Sequence, residues 1–173
     1  MVEDQLTRHA LHDPLTGLPS RSLFLDRLDH AVSRLRRREM VAVVFVELEG
    51  VESVSLAYGR SVADQLLVQV GRRLEHCMRT GDTLARLAGD EFTLLLEDLD
   101  EASDAVTIAE RVIADVSRPF PAGGHEVVVS ASVGVAFGAP GVTAAGDLLR
   151  QADVALYRAK AKGANRFVVL SAS

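Results

Sequence analysis

The chain has 173 residues, 48% of them hydrophobic and 25% charged, which is enough apolar material for one globular domain and too much for a disordered segment. A formal charge of −5 excludes a general nucleic-acid binder, which would carry a basic face. No apolar run reaches the roughly 18 residues of a membrane span, and the start lacks the order of a signal peptide, so the expectation is a cytoplasmic domain with no membrane segment.

In chain order, "MVEDQLTRHAL" is an amphipathic helical pattern, and "HDPLTGLPSR" breaks it with two prolines and a glycine. Ser20 is placed as the N-cap of "RSLFLDRLDHAVSRLRRR", where Leu23, Phe24, Leu28 and Val32 recur at helical spacing and the end is basic. "MVAVVFVEL" is an apolar, β-branched run that predicts a strand buried on both faces. From 54 to 78 the period is helical again, with Val62, Leu66, Leu67, Val70 and Leu74 on one side. Near its end sits Cys77, the one cysteine, which cannot form an internal disulfide and is read as a packed thiol in a reducing compartment.

Next, "DTLARLA" and "EFTLLLED" flank Gly89 and Asp90, a two-residue loop with glycine first that suits a tight hairpin. "DEASDAVTIAERVIADVS" predicts a helix with acids in its first turn. Pro119 and Pro121 mark a connection, "HEVVVSASVGVAFG" predicts one or two strands, and "AAGDLLRQADVALYRAKAKG" a helix with Gly163 as its C-cap. "NRFVVL" closes as a strand. The order gives an α/β (α+β) sandwich built on one mixed, mostly antiparallel sheet flanked by helices.

The first strand ends in acids, Glu47 and Glu49, and the hairpin tip carries Asp90 and Glu91. Adjacent antiparallel strands would bring these ends together, and two such carboxylates can hold Mg2+ against a nucleotide's phosphates. The alternative is solvated acids in turns that favour Asp and Gly for backbone reasons. His9, His12, His30, His76 and His125 show no paired metal-ligand spacing.

Five motifs in order, "HDPLTGLPSR", "VFVELEGVESVSLAYGRSVADQLL", "RTGDTLARLAGDEF", "SASVGVA" and "ADVALYRAKAKGANRF", resemble the GGDEF family of diguanylate cyclase domains over about residues 5 to 170. The resemblance implies a fold like the polymerase palm and the class III nucleotide cyclases. It also implies a reaction in which two GTP condense to cyclic di-GMP across a homodimer, with Mg2+ as cofactor. "AGDEF" corresponds to the signature hairpin, with Ala88 in place of a glycine. On this resemblance Glu47 and Asp90 would ligate metal, and Asp90 and Glu91 would be catalytic. Gly89, Asp64, Ser55 and Lys160 would bind GTP, and Arg79 with Asp82, an RxxD pattern, would form an inhibitory cyclic di-GMP site.

Several positions depart from the family. Glu47 stands for an aspartate, and its extra methylene moves the oxygens by about 1.5 Å, which matters to magnesium's near-octahedral geometry. Ser55 stands for a guanine-binding asparagine and lacks its paired donor and acceptor. Leu56 replaces an acid, Glu52 a lysine near the phosphates, and Ala164 a phosphate-binding arginine, with Arg166 two residues on. These changes meet on one ligand. The expectation is therefore weak or absent catalysis in a regulatory module that binds GTP or cyclic di-GMP; the alternatives are an active diguanylate cyclase and a purine nucleotide cyclase. Residues 1–12 are read as the end of a linker helix from a neighbouring sensor or effector domain, and 13–173 as the GGDEF domain.

Overall fold

The computed structural model describes residues 10–141 and 144–170; most of the expected linker helix, residues 1–9, lies outside them. The described elements are α1 (Arg21–Ser33), β1 (Met40–Glu49), α2 (Val51–Tyr58), α3 (Arg60–Cys77), β2 (Thr83–Ala88), β3 (Glu91–Leu99), α4 (Ala102–Val116), β4 (Phe120–Ala122), β5 (His125–Val127), β6 (Ser130–Gly138), α5 (Ala145–Lys162) and β7 (Phe167–Leu170). Five strands form one sheet in the order β2-β3-β1-β6-β7, antiparallel throughout except for the β6–β7 pair. The mixed, mostly antiparallel sheet expected from the sequence is present. None of the described helices is long and apolar enough to cross a membrane.

β1 is central because its two faces are both apolar. Ala42, Val44, Val46 and Leu48 share a core with Leu66, Val70 and Leu74 of α3 and Ile108 and Val112 of α4. Val41 and Val43 belong to a second core with Phe24 and Leu28 of α1 and Leu148 and Ala152 of α5. The period-two alternation of the strand thus sorts the helices into two layers. On the α5 layer, Gly134 of β6 lies so close to the helix that a β-carbon there would run into the backbone of Ala152 and Leu156.

Three local features differ from the expectation. The 54–78 helix is two helices, because Gly59 takes φ 96° and ψ 163°, a conformation open to glycine and closed to side-chain-bearing residues. α1 stops at Ser33 instead of running through the arginines; the Arg36 backbone N–H donates to Glu39 Oε2 at 2.7 Å, and Arg38 adopts φ 74° in a turn. Ser20 does occupy the N-cap, yet its hydroxyl donates to the Ala10 carbonyl at 2.7 Å rather than to the helix.

The two-stranded β4–β5 hairpin is an element the sequence reading merged into its neighbours. Gly123 and Gly124 make its turn with φ 57° and 79°. It is fastened to α3, where Gln65 Oε1 accepts from the Gly123 N–H at 2.9 Å, Gln69 donates to the Pro121 carbonyl, and Arg73 lies 3.5 Å from the centre of the Phe120 ring. Cys77 is buried, donates weakly to the Arg73 carbonyl, and has its thiol pushed up to about 12, by burial first and then by Asp115. It is a packing residue, with little thiolate available for chemistry.

Candidate functional site

The alternation that puts Val41, Val43 and Phe45 on the α1–α5 side carries on to Glu47, which pairs in register with Glu91 of β3 on one side and Ser132 of β6 on the other. Between β2 and β3, Gly89 takes φ 42°, so the chain reverses in two residues, and the Asp90 carbonyl accepts from the Leu48 N–H at 3.0 Å. Glu47, Asp90 and Glu91 therefore meet at neighbouring strand ends, as the antiparallel reading required.

The last turn of α5 brings a cation to the same edge. Lys160 Nζ lies 3.1 Å from Glu47 Oε1 and 3.0 Å from Oε2, so one ammonium spans both carboxylate oxygens. That hydrogen bond raises the lysine's pKa, with further help from the charges of Glu49 and Asp90. The neighbouring acids are balanced less fully, Asp90 by its own backbone N–H and the charges of Lys160 and Arg86. Partial burial raises the Asp90 carboxyl and Glu47 adds to the rise; Glu91 is raised by burial and then by the charges of Glu47, Asp90 and Asp153. The edge carries more negative charge than Lys160 balances.

A second cluster, centred on an arginine, holds the turn from behind. Arg86 of β2 donates through Nε and Nη2 to the Gly89 carbonyl at 3.0 and 2.8 Å, and through Nη1 to both oxygens of Asp13 at 3.1 Å. Asp13 also accepts from the Thr16 N–H at 2.8 Å and hydroxyl at 2.7 Å. Burial alone would raise the Asp13 carboxyl, but these hydrogen bonds and the Arg86 charge bring it net below the usual carboxylate range. Neither Asp13 nor Arg86 was singled out from sequence. The available signal was Asp13 followed three residues later by Thr16, the pattern of a side-chain-stabilised turn.

The other expected residues lie on different elements. Ser55 sits half-buried on α2. Asp64, half-buried on α3, lines a shallow depression with Leu15, Ser61 and Arg72. Glu52 is exposed in the first turn of α2. Ala164 and Arg166 are both exposed, and Asn165 between them takes φ 55° and accepts from the Ala131 N–H. A cavity of about 410 Å³ opens beside Glu91 between α1 and α5, floored by Phe24, Phe45 and Leu149, and includes neither Ser55, Asp64 nor Lys160.

Arg79 and Asp82 precede β2, at the end of the hairpin away from Gly89, about 20 Å along the strand at 3.3 Å per residue. Their ion pair is two-pronged, with Nε to Oδ2 at 3.2 Å and Nη2 to Oδ1 at 3.3 Å. Arg79 also donates to the Glu97 carbonyl at 2.7 Å, while Asp82 accepts from the Glu97 N–H at 3.2 Å. The Asp82 side chain is 1% exposed and that of Arg79 41%.

The family described as "Diguanylate cyclase, GGDEF domain" matches residues 10–166. The chain belongs to the GGDEF family. Among curated relatives, the bifunctional diguanylate cyclase/cyclic di-GMP phosphodiesterase MucR of Pseudomonas aeruginosa is 41% identical over 170 residues, covering 98% of this chain and 25% of the relative. The crystallised GGDEF domain of the Pseudomonas aeruginosa protein YfiN or TpbB is 31% identical with a TM-score of 0.82, covering 91% of this chain and 99% of that one. The coiled coil and GGDEF domain of DgcB from Caulobacter crescentus, solved in complex with c-di-GMP, has a TM-score of 0.85 at 25% identity, covering 99% and 90%.

The chain thus spans only part of the first curated relatives, 25%, 20% and 39% of their lengths. As a GGDEF domain it is a module of cyclic di-GMP signalling, of the diguanylate cyclase family. Its "AGDEF" occupies the β2–β3 turn, the position in which this GGDEF fold gathers Glu47, Glu91 and Lys160 around Asp90. Among the described residues, no group of three or more His, Cys, Asp or Glu is arranged to hold a metal ion on its own.

Proposed function

We propose that this GGDEF domain is a GTP- and cyclic di-GMP-binding regulatory module with weak or no diguanylate cyclase activity. The observation that carries the reading is the shortage of positive charge at this edge, where Lys160 faces the carboxylates of Glu47, Asp90 and Glu91. Of the residues the family resemblance assigns to metal and phosphate, the cation and the first carboxylate neutralise one another. Glu52 adds a negative charge on α2, and Ala164 offers no cation. At 4 Å a like-charge contact costs from about 1 kcal/mol in water to about 4 kcal/mol at an effective dielectric of 20, so a triphosphate meets a site poorer in positive charge than its chemistry needs.

The donors fit magnesium in part. Glu47 and Asp90 are hard oxygen ligands on adjacent strand ends, with Glu91 paired in register beside Glu47. Mg2+ commonly takes one or two carboxylates and completes its shell with substrate phosphates and water. Glu47 and Asp90 would hold Mg2+, which when bound would neutralise phosphate charge. Gly89 would admit the nucleotide close to the backbone, Asp64 and Ser55 would meet the base, and Glu91 would stand near the reacting hydroxyl. Arg79 and Asp82 would take cyclic di-GMP once the arginine lets go of its partner. Relatives two and a half or more times longer support a setting beside sensor or effector domains, and a cyclic di-GMP role supports a cytoplasmic one. Two copies would have to meet for catalysis.

The test is to incubate wild type and the triple variant Glu47→Asp, Glu52→Lys, Ser55→Asn with GTP and Mg2+ at high protein concentration, and to quantify cyclic di-GMP by mass spectrometry. Product from the variant and none from wild type is the expected result. A robust wild-type rate, unchanged in the variant, would establish the alternative, an active cyclase.

A further inference from the structure

We propose that the Lys160–Glu47 ion pair is a phosphate-operated latch, which holds the acidic edge closed to divalent cations until an incoming phosphate draws Lys160 away. The inference rests on the reading of this edge as a nucleotide site and adds how that site is regulated. Both Glu47 oxygens lie within 3.1 Å of the Lys160 ammonium. A divalent cation needs the same lone pairs and is repelled by the positive charge already there. Ammonium and metal therefore compete for one carboxylate.

The lysine is built to move. Its side chain is 42% exposed against 21% for Glu47, and it hangs from the last turn of α5 by a flexible four-carbon stem. Swinging to a phosphate oxygen requires rotation about side-chain bonds and no shift of helix or sheet. The carboxylate is the fixed member, at the end of the central strand between β3 and β6. Once Lys160 leaves, Glu47 joins Asp90 and Glu91 as an uncompensated acidic group, and its affinity for a divalent cation rises. Metal and phosphate then bind with positive coupling, each strengthening the other by the same factor.

The experiment uses Mn2+ as the metal probe, read by loss of its free electron-paramagnetic-resonance signal, and inorganic pyrophosphate as the phosphate probe. Wild type should bind Mn2+ weakly alone and about tenfold or more tightly with pyrophosphate present, after correction for the metal–pyrophosphate complex. Lys160→Gln should bind Mn2+ alone about tenfold more tightly than wild type and lose the enhancement. Lys162→Gln removes an equal charge from the same turn and should leave wild-type behaviour intact. From the other side, Glu47→Gln frees the lysine and should raise pyrophosphate affinity in the presence of a chelator.

Equal Mn2+ affinity of wild type with and without pyrophosphate would overturn the latch. So would the same gain in Lys162→Gln as in Lys160→Gln, or unchanged pyrophosphate binding in Glu47→Gln, each protein first shown folded by its melting curve. A parallel GTP titration separates the two readings: failure of GTP to bind any of these proteins counts against the nucleotide site, while the Mn2+ and pyrophosphate results on the variants decide the latch.

Discussion

The β2–β3 hairpin has charged residues at both ends, and the two ends treat charge in opposite ways. Before β2, Asp82 is almost wholly buried, and each of its oxygens receives an N–H, from Arg79 and from Glu97. At the other end, Asp90 and Glu91 share one lysine with Glu47, and both have raised carboxyls. Closed charge of the first kind is spent on holding strands together. Open charge of the second kind costs stability, and chains keep such groups where a ligand will complete them.

Asp82→Ala should give the largest effect, about 3 kcal/mol of lost stability in urea unfolding, because it leaves the backbone N–H groups of Arg79 and Glu97 and the Arg79 guanidinium without their common acceptor. Arg79→Ala should cost less, because Asp82 keeps the backbone N–H groups of residue 79 and Glu97 as donors and water can enter where the part-exposed guanidinium was. Equal costs would mean that the base is an ordinary surface pair. Next comes Arg86→Ala, expected to cost about 2 kcal/mol and to speed amide exchange at the Asp90 turn, for it leaves the Gly89 carbonyl and Asp13 without their partner. Exchange at Asp90 that does not change would cut the link between the leading segment and the tip.

Gly89→Ala should cost about 1 kcal/mol through its positive φ alone, since nothing lies within 4 Å of a β-carbon there. The smallest effect has the opposite sign. The double variant Asp90→Asn, Glu91→Gln should be more stable than wild type at neutral pH by a few tenths of a kcal/mol, given how exposed these groups remain. A carboxyl raised on folding binds its proton more tightly folded than unfolded, so its charge destabilises above the shifted range and ceases to as pH falls to the ordinary carboxylate value. The melting-temperature gap between variant and wild type should close on acidification; a gap that widens would show that the tip is already balanced.

Much of this was legible in the sequence, for reasons that also explain the omissions. Strand β1 was legible because both its faces are apolar, and the meeting of Glu47 with Asp90 followed from antiparallel geometry alone. Gly59 was visible, but its neighbours keep a helical period across it, and only the backbone conformation reveals two helices. The β4–β5 hairpin strands are three residues each, too short for alternation to register, although the Gly123–Gly124 pair was a usable turn signal. The ion pairs were out of reach. Lys160 and Glu47 stand 113 residues apart and Arg86 and Asp13 73 apart; the second pairing depends on how the entry segment lies against β2, and the first on which helix covers which face of the sheet.

Gly134 gives that last dependence a mechanical form. By lacking a side chain it lets α5 rest directly on β6, near Ala152 and Leu156, and Lys160 rides one turn beyond Leu156 on the same rigid rod. The height of the rod above the sheet sets whether an ammonium at its end reaches a carboxylate at the end of β1. A methyl group added at Gly134 would act as a shim under the helix, because its carbon would overlap the backbone of Ala152 and Leu156. The working tolerance of the charged edge is thus machined into a strand position that carries no functional group.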